Sequence, residues 1–310
     1  MGVFVFLPLV LPFTAWPIAR LAEQHLHPRT ATLLLTAIAA VLACCSTLCL
    51  GLVMVVGTAQ LPGNPLPDGW SDPEVRDALR YDEVAGRLAI PVLLTVLASC
   101  AGTAWRHRRV HRDAGAALGT ARPGPVVVLR DDAPYAYALP GRPGRVVAST
   151  GMLSALTSRE RRALFAHERA HLAGRHDRVL LTVRLAARAH PFLRPLRTAV
   201  TYTAERWADE EAAAHVGSRK TVARAIGKAA LVSRGTPTPG LTRFAAAGPV
   251  PRRVAALLAP APAGRAWPPV FTAVGLAVWT AAGGATVSAL SSANSAVTLY
   301  LVLHAATFSA

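Results

Sequence analysis

Two histidines in the run HERAH have the spacing of a metal-binding pair. His167 and His171 are four residues apart, so on a helix they lie on one face, and both rings can reach a single ion. Glu168 directly follows the first histidine and can reach a water molecule bound to that ion. The residue types and their spacing therefore predict a metal centre at which a carboxylate acts on water.

The H-E-x-x-H arrangement is typical of zinc-dependent peptidases. In that chemistry zinc lowers the pKa of its bound water and polarises the scissile carbonyl. Glu168 acts as general base and then passes the proton to the leaving amine. Thr157 and Glu160 fit a capping box that begins a helix before the motif, and Gly174 can end that helix. This setting favours a metal centre over the alternative, a pair of solvated histidines on a surface helix.

A third protein ligand must come from elsewhere in the chain, because catalytic zinc usually takes three and keeps one position open. Glu205 is favoured, since small residues share its face of a helix predicted over 195–214 and let a second helix approach closely. Asp209, one turn later, is predicted to orient a zinc-bound histidine through its distal N–H. The alternative for both is an exposed acidic helix. Other candidates for the third ligand are His176, Asp177, His190, Glu210, Glu211 and His215.

Two further features of the site stay open at this stage. The donor that would hold the oxyanion together with zinc has four candidates. They are Tyr137, His176, His215 and Arg219. The segment RVVAS, residues 145–149, is predicted to be a strand just before the motif helix. It can pair with an extended substrate as an added strand, or it can be an ordinary interior strand.

The composition indicates a membrane protein. Hydrophobic residues make up 52% of the 310 residues, and the mean hydropathy is +0.35, both unusual for a soluble protein. The formal net charge of +16 raises the possibility of a nucleic-acid binder, but no zinc-finger, RNP-type or helix-turn-helix pattern is evident. Arginines beside apolar stretches fit the cytoplasmic flanks of membrane helices, with anionic lipid as the partner. No direct nucleic-acid partner is therefore expected.

Apolar stretches and their flanking charges predict the domain organisation. Three membrane helices are predicted within 1–105, at 2–19, 31–57 and 88–105, the first of them kinked by prolines. The arginines between residues 106 and 112 place the following domain, 106–265, in the cytoplasm. A fourth membrane helix is predicted over 266–290, followed by a short tail over 291–310. The acidic loop 58–87 is then outside, and the protein is expected to be a multi-pass protein of the cell membrane.

The four cysteines are expected to be packing residues. Cys44, Cys45, Cys49 and Cys100 all lie in apolar runs, away from the histidine motif. They are therefore not predicted to bind the metal or to form a disulfide framework.

Several motifs occur in an order that a known family shares. Three apolar spans precede HERAHLAGRHD, and HPFLRPLRTAVTYTAERWADEEAA and a final span follow. The most specific parts are HERAH, the ExxxD of Glu205 and Asp209, and RRVAALL at Arg252–Leu258. In these parts the chain resembles the BlaR/MecR-type membrane zinc metallopeptidases.

The resemblance implies roles for particular residues. In such gluzincin peptidases the two motif histidines and the later glutamate bind zinc, and the motif glutamate is catalytic. Those roles carry over to His167, His171, Glu205 and Glu168. The fold class expected is an α-helical membrane protein with a cytoplasmic α+β zincin-like metallopeptidase domain. Antibiotic-sensing members cleave a transcriptional repressor, or themselves, after an extracellular sensor domain binds a β-lactam. Such a sensor domain is not expected here, because the chain ends at residue 310, shortly after the fourth span.

The sequence thus predicts a regulatory zinc endopeptidase anchored in the membrane, which cleaves a cytoplasmic protein such as a transcriptional repressor, or itself. One alternative is an HtpX-type quality-control protease, a group in which a membrane span separates the zinc motif from the third ligand. The interval 172–204 carries too many arginines for such a span. Another alternative is a catalytically silent membrane receptor or scaffold that keeps zinc for structure. The intact Glu168 argues against it, because a structural site has no need of a general base.

Overall fold

The computed structural model describes residues 7–59, 83–119, 124–234, 249–262 and 271–308. Within these ranges the protein is mostly helical, with one small sheet. The helices are α1 (Leu7–Val10), α2 (Ala15–His25), α3 (Pro28–Ala59), α4 (Glu83–Ala117), α5 (Thr150–Ala155), α6 (Ser158–Ala173), α7 (His176–Ala189), α8 (Arg194–Val216), α9 (Arg219–Val232), α10 (Val250–Leu258) and α11 (Ala273–Phe308). Most of the predicted outer loop, 58–87, lies outside the described residues, as do residues 2–6 of the first predicted span.

Three helices are long and apolar enough to cross a membrane. The candidate spans are Pro28–Val55 in α3, Ala85–Ala117 in α4 and Val278–Ala305 in α11. The first predicted span is instead divided between α1, a 3-10 turn at Leu11–Thr14 and α2, and no described part of it is among the candidates. Its prolines, which lack the N–H that a continuous helix needs, account for the division.

The last helix does not stop where the sequence analysis placed a boundary. α11 continues through residue 290 and makes the predicted tail helical as far as Phe308. No proline and no formally charged residue occurs between Ala273 and Phe308 to interrupt it.

The sheet has the strand order β1-β3-β2. β1 (Val126–Leu129), β2 (Ala136–Leu139) and β3 (Arg145–Ser149) match the three strands predicted from the sequence. β3 is the central strand, parallel to β1 and antiparallel to β2. The idea that the RVVAS strand accepts an extended substrate is therefore wrong, because neighbouring strands already occupy both of its edges. In the described part of the chain, β2 is the strand beside the motif helix that has an unpaired edge.

The motif helix α6 begins and ends as the sequence predicts. The Thr157 side chain accepts a hydrogen bond from the Glu160 N–H, and the Glu160 carboxylate accepts one from the Thr157 N–H at 2.9 Å. Lys228 on α9 donates to the same carboxylate at 2.9 Å, which fixes the start of α6 against the rest of the domain. The helix ends at Ala173, and the left-handed backbone of Arg175 (φ 48°) turns the chain into α7.

The candidate membrane helix α3 shares a hydrophobic core with α7 and α8. Leu35 and Leu42 of α3 are buried in one cluster with Val183 of α7 and Leu196 and Val200 of α8. Burying each of these leucines contributes about 1.5–3 kcal/mol. A hydrogen bond of 2.9 Å between the hydroxyls of Thr32 and Thr203 also crosses this interface. α8, which carries Glu205, is therefore anchored directly on α3.

Candidate active site

Three side chains from two helices converge on one point. The Nε2 atoms of His167 and His171, one turn apart on α6, lie 3.1 Å from each other. Glu205 on α8 places Oε2 3.6 Å from His167 Nε2 and Oε1 3.5 Å from His171 Nε2. Among the described residues these three form the group of side chains that could hold a metal ion, with all ligand atoms within 4.8 Å of one another. The structure thus brings together the three ligands expected from the sequence.

The spacing of these atoms fits a tetrahedral ion such as zinc. Metal–ligand bonds of about 2.0–2.1 Å in a tetrahedron place neighbouring ligand atoms about 3.4 Å apart. The two histidine nitrogens are 3.1 Å apart, close to that value, and each oxygen of Glu205 lies 3.5 or 3.6 Å from one of these nitrogens, so the carboxylate is within reach of an ion held by the pair. Imidazole nitrogens and a carboxylate oxygen are ligands that zinc prefers, so the residues present suit the metal.

Burial and neighbouring charges set the protonation of the ligands. Burial lowers the pKa of His171 to about 3, so its ring is neutral near pH 7. Burial also lowers the pKa of His167, but the neighbouring carboxylates of Asp209 and Glu205 outweigh this effect and raise it to about 10. Burial raises the pKa of Glu205, but Arg253 and His171 outweigh burial and hold it below its usual value. A cation that binds here therefore meets a charged carboxylate and must displace a proton from His167.

Asp209 and Arg253 contact the metal ligands and hold them in position. Asp209 is completely buried, and its Oδ1 lies 3.1 Å from His167 Nδ1, the nitrogen that faces away from the metal position. Arg253 on α10 binds Asp209 through two contacts of 2.9 and 2.6 Å and reaches Glu205 Oε2 at 2.8 Å. One guanidinium thus fixes both carboxylates. Asp209 contacts a motif histidine, as predicted from the sequence. Arg253 belongs to the RRVAALL motif, but the sequence predicted no role for it at the site.

His176 supports the second histidine in the same way. Its Nδ1 lies 2.7 Å from His171 Nδ1, and its ring packs 4.6 Å from that of Trp207. Burial lowers the pKa of His176 to about 4, so the two neutral rings share one proton between these nitrogens. Gly174 makes the contact possible, because a Cβ there would lie 2.4 Å from His176 Nε2. From the sequence, His176 is a candidate for a metal ligand or an oxyanion donor, whereas the structure places it as a support for His171.

Glu168 lies between the metal ligands and the free edge of β2. The backbone N–H of Ala138 on β2 is close enough to its carboxylate to lower the pKa of that carboxylate. Burial raises the pKa of Glu168, and the nearby Glu205 carboxylate adds to the increase, whereas His167 and the Ala138 N–H oppose it. The net shift is upward, towards the neutral range in which a carboxylate works best as a proton acceptor.

These groups line one cavity of about 370 Å³. His167, Glu168, His171, Glu205 and Arg253 form part of its wall, β2 lines another side, and His107 and His111 of α4 lie on its wall too. Of the four candidate oxyanion donors, Tyr137 and His176 line this cavity, whereas His215 and Arg219 do not. Arg219 instead binds Glu210 and backbone carbonyls of α10.

The remaining candidates for the third ligand lie away from the converging atoms. His190 follows the end of α7, Glu210 pairs with Arg206 at 2.6 Å, and the exposed Glu211 accepts from Trp207 at 3.2 Å. Asp177 lines the cavity but is not in the group that could hold a metal. Glu205 is thus the acidic residue that completes the histidine pair.

Comparison with known proteins agrees with this geometry over part of the chain. The model of peptidase family M48 matches residues 101–187, a segment that holds the end of α4, the sheet, the motif helix and α7. No curated protein and no solved structure matches the chain. The matched segment contains His167, Glu168 and His171 but ends before Glu205. Over this segment the chain is similar to the metal-dependent peptidases of family M48.

Proposed function

We propose that the protein is a membrane-anchored zinc endopeptidase whose catalytic domain faces the cytoplasm. The observation that carries the proposal is the convergence of His167, His171 and Glu205, with Glu168 beside them in a cavity. The match to family M48 in the segment around the motif supports a peptidase. The three candidate membrane spans support a membrane protein.

The side chains suit hydrolysis of a peptide bond. Zinc, when bound, supplies Lewis acidity that activates water and polarises a carbonyl. Glu168 takes the proton from the attacking water and returns it to the leaving amine, and its raised pKa suits both tasks near neutral pH. Asp209 and His176 hold the two histidine rings in the orientation that directs Nε2 towards the metal position.

The free edge of β2 suits the backbone of an extended peptide. Among the strands of the described ranges, β2 pairs only with β3, and Ala138 on its other side reaches Glu168. A substrate strand added there would place its backbone beside the general base. This arrangement supports a protein or peptide substrate.

A cytoplasmic protein, such as a transcriptional repressor, or the chain itself is the proposed substrate. Support comes from the arginines at the end of α4, which favour a cytoplasmic location for the domain that follows. The resemblance to BlaR/MecR-type enzymes supports a regulatory role. Neither α7 nor α8, the helices between the motif and Glu205, is among the candidate spans in the described chain, which disfavours the HtpX-type alternative.

The decisive test is removal of the general base from the full-length protein. Glu168→Gln keeps the size of the side chain but cannot accept a proton, so we expect cleavage of casein or of a candidate repressor to fall at least about a thousandfold. Zinc content should stay unchanged, because Glu168 is not a ligand. Metal analysis of the same sample checks this.

Glu211→Gln is the matched control, since Glu211 is exposed on α8 and does not line the cavity. It should cleave like the wild type. If Glu168→Gln also cleaves like the wild type, the peptidase assignment fails. A wild type that binds zinc but cleaves nothing would favour the silent receptor or scaffold.

A further inference from the structure

A second, larger cavity lies beside the metal centre and is lined by arginines. Its volume is about 1020 Å³, and its walls come from α2, α4, α7, α8 and the start of α10. The arginines that line it are Arg20, Arg106, Arg184, Arg188, Arg194, Arg197 and Arg252. Arg252 is the direct neighbour of Arg253, which binds Glu205 and Asp209. The arginine cavity and the cavity of the metal centre are therefore adjacent, and Arg184 lines both of them.

The described residues that line the arginine cavity carry far more positive than negative charge. Among the lining residues in the described part of the chain, the one carboxylate belongs to Glu23. Glu23 already pairs with Arg252, whose guanidinium also lies 4.1 Å from the centre of the Tyr202 ring. Burial and the neighbouring Arg197 lower the pKa of Arg184, a sign that these guanidiniums repel one another. An anion with more than one acceptor oxygen would relieve that repulsion.

Arginine is suited to one class of anion in particular. Its planar guanidinium presents paired N–H donors that match the oxygens of a phosphate group. Arg188 on α7 and Arg194 and Arg197 on α8 are exposed and line the cavity from two helices joined by a short turn. Guanidinium groups on two neighbouring helices can therefore bind one phosphate-bearing group from two sides.

Exposed aromatic residues beside the cavity indicate where that phosphate comes from. Trp16 lines the cavity and is 60% exposed. Phe13 and Phe192 are also exposed, and their rings are 4.0 Å apart. On the α4 side, Arg106 follows the exposed Trp105 at the end of an apolar stretch. Aromatic residues next to arginines at the end of apolar helices are typical of the membrane–water interface.

We propose that the arginine cavity is a binding site for the phosphate headgroup of an anionic phospholipid, whose acyl chains run along Phe13, Trp16 and Phe192. A soluble phosphate compound would use the guanidiniums but not the exposed aromatic surface. The site is more specific than general attraction of a basic protein to an anionic membrane, because its donors line a defined cavity.

The test uses the full-length protein in nanodiscs of phosphatidylcholine and phosphatidylglycerol in equal amounts, with retained lipid identified by native mass spectrometry. We expect the wild type to retain phosphatidylglycerol in preference to phosphatidylcholine. The triple variant R188Q/R194Q/R197Q should retain about tenfold less phosphatidylglycerol. Its control, R159Q/R178Q/R224Q, removes the same charge from exposed arginines that do not line the cavity, and should retain lipid like the wild type.

Further measurements separate a specific site from folding defects and from soluble ligands. Both triple variants should melt like the wild type in pure phosphatidylcholine, and Arg197→Glu alone should also lower phosphatidylglycerol retention. Millimolar glycerol phosphate should not displace the lipid. The proposal is overturned if the two triple variants retain equal amounts of lipid, or if glycerol phosphate displaces phosphatidylglycerol.

Discussion

Each motif histidine has a partner at the nitrogen that points away from the metal position. Asp209 lies 3.1 Å from His167 Nδ1, and His176 lies 2.7 Å from His171 Nδ1. Partners of this kind fix the ring orientation and the tautomer that leaves Nε2 available to a metal. The two partners differ in charge, because Asp209 is a carboxylate and His176 is a neutral ring. Only Asp209 therefore makes its histidine more basic.

Replacement of Asp209 tests this difference. Asp209→Asn keeps the shape but removes the charge, so we expect zinc affinity to fall about 10–100-fold. Competition with a fluorescent zinc chelator measures the affinity of the full-length protein. Asp113→Asn, an exposed substitution on α4, should leave the affinity unchanged. Equal affinities for Asp209→Asn and the wild type would rule out an orienting role for Asp209.

Arg253 is the residue at the site whose role the sequence could not reveal. It is 44 positions away from Asp209 in the chain, yet it makes two hydrogen bonds to that carboxylate. Helix periodicity relates residues within one element, as it did for Glu205 and Asp209 on α8. A contact between α8 and α10 depends on how the helices pack. The sequence singled out this segment only because RRVAALL is one of the motifs that the chain shares with BlaR/MecR-type enzymes.

At the scale of elements, the start of the motif helix depends on one buried carboxylate. Burial raises the pKa of Glu160, but hydrogen bonds from Lys228 and Thr157 outweigh burial and hold the pKa at about 2, below the usual 4.5. The folded state therefore binds the proton of Glu160 more weakly than the unfolded state. Its contribution to stability is fully present above about pH 4.5 and is lost as the pH falls towards 2.

Glu160→Gln should therefore lower the free energy of unfolding by about 2 kcal/mol at pH 7. The figure is modest because Lys228 is half-exposed and water screens its charge. The deficit should shrink as the pH is lowered from 4.5 towards 2, since the wild-type carboxylate is then protonated too. Thermal unfolding in detergent across this pH range measures it, with Glu211→Gln as an exposed control. A deficit that does not depend on pH would contradict the ion pair.

Local patterns predicted most elements of the domain, and contacts between elements explain the differences. The capping box, the three strands and the helix over 195–214 follow from residues close in sequence, and all are observed. The interior position of β3 depends on which strands pair, which the RVVAS segment does not encode by itself. The left-handed backbone at Arg175, which brings His176 against His171, occurs at a residue type that rarely adopts it.

At the scale of the whole molecule, the candidate membrane helices and the predicted cytoplasmic domain do not have separate cores. Leu180, Val183, Leu193 and Leu196 of the predicted cytoplasmic domain are buried in one cluster with residues of α2 and α3. A fragment of residues 106–265 would expose this surface to water. Large exposed apolar patches of this kind cause association.

We therefore expect the isolated 106–265 fragment to aggregate or to require detergent. The full-length chain in detergent should elute as a discrete species and unfold in one transition. Size-exclusion chromatography and thermal unfolding of both samples check this. A fragment that is monomeric without detergent and melts cooperatively would show that the domain folds independently of α3.

The helix that carries Glu205 belongs to two hydrophobic clusters. α8 packs on α3 in one of them, and its Ala212 and Ala213 pack with Ala163 and Ala166 of the motif helix in the other. A bilayer that is too thin or too thick for α3 tilts that helix, and α8 would carry the motif helix with it, so that all three metal ligands move together. We therefore expect zinc affinity to stay the same when the acyl chains of the surrounding lipids are shortened or lengthened. An affinity that changes with bilayer thickness would show that α3 moves Glu205 independently of the histidines.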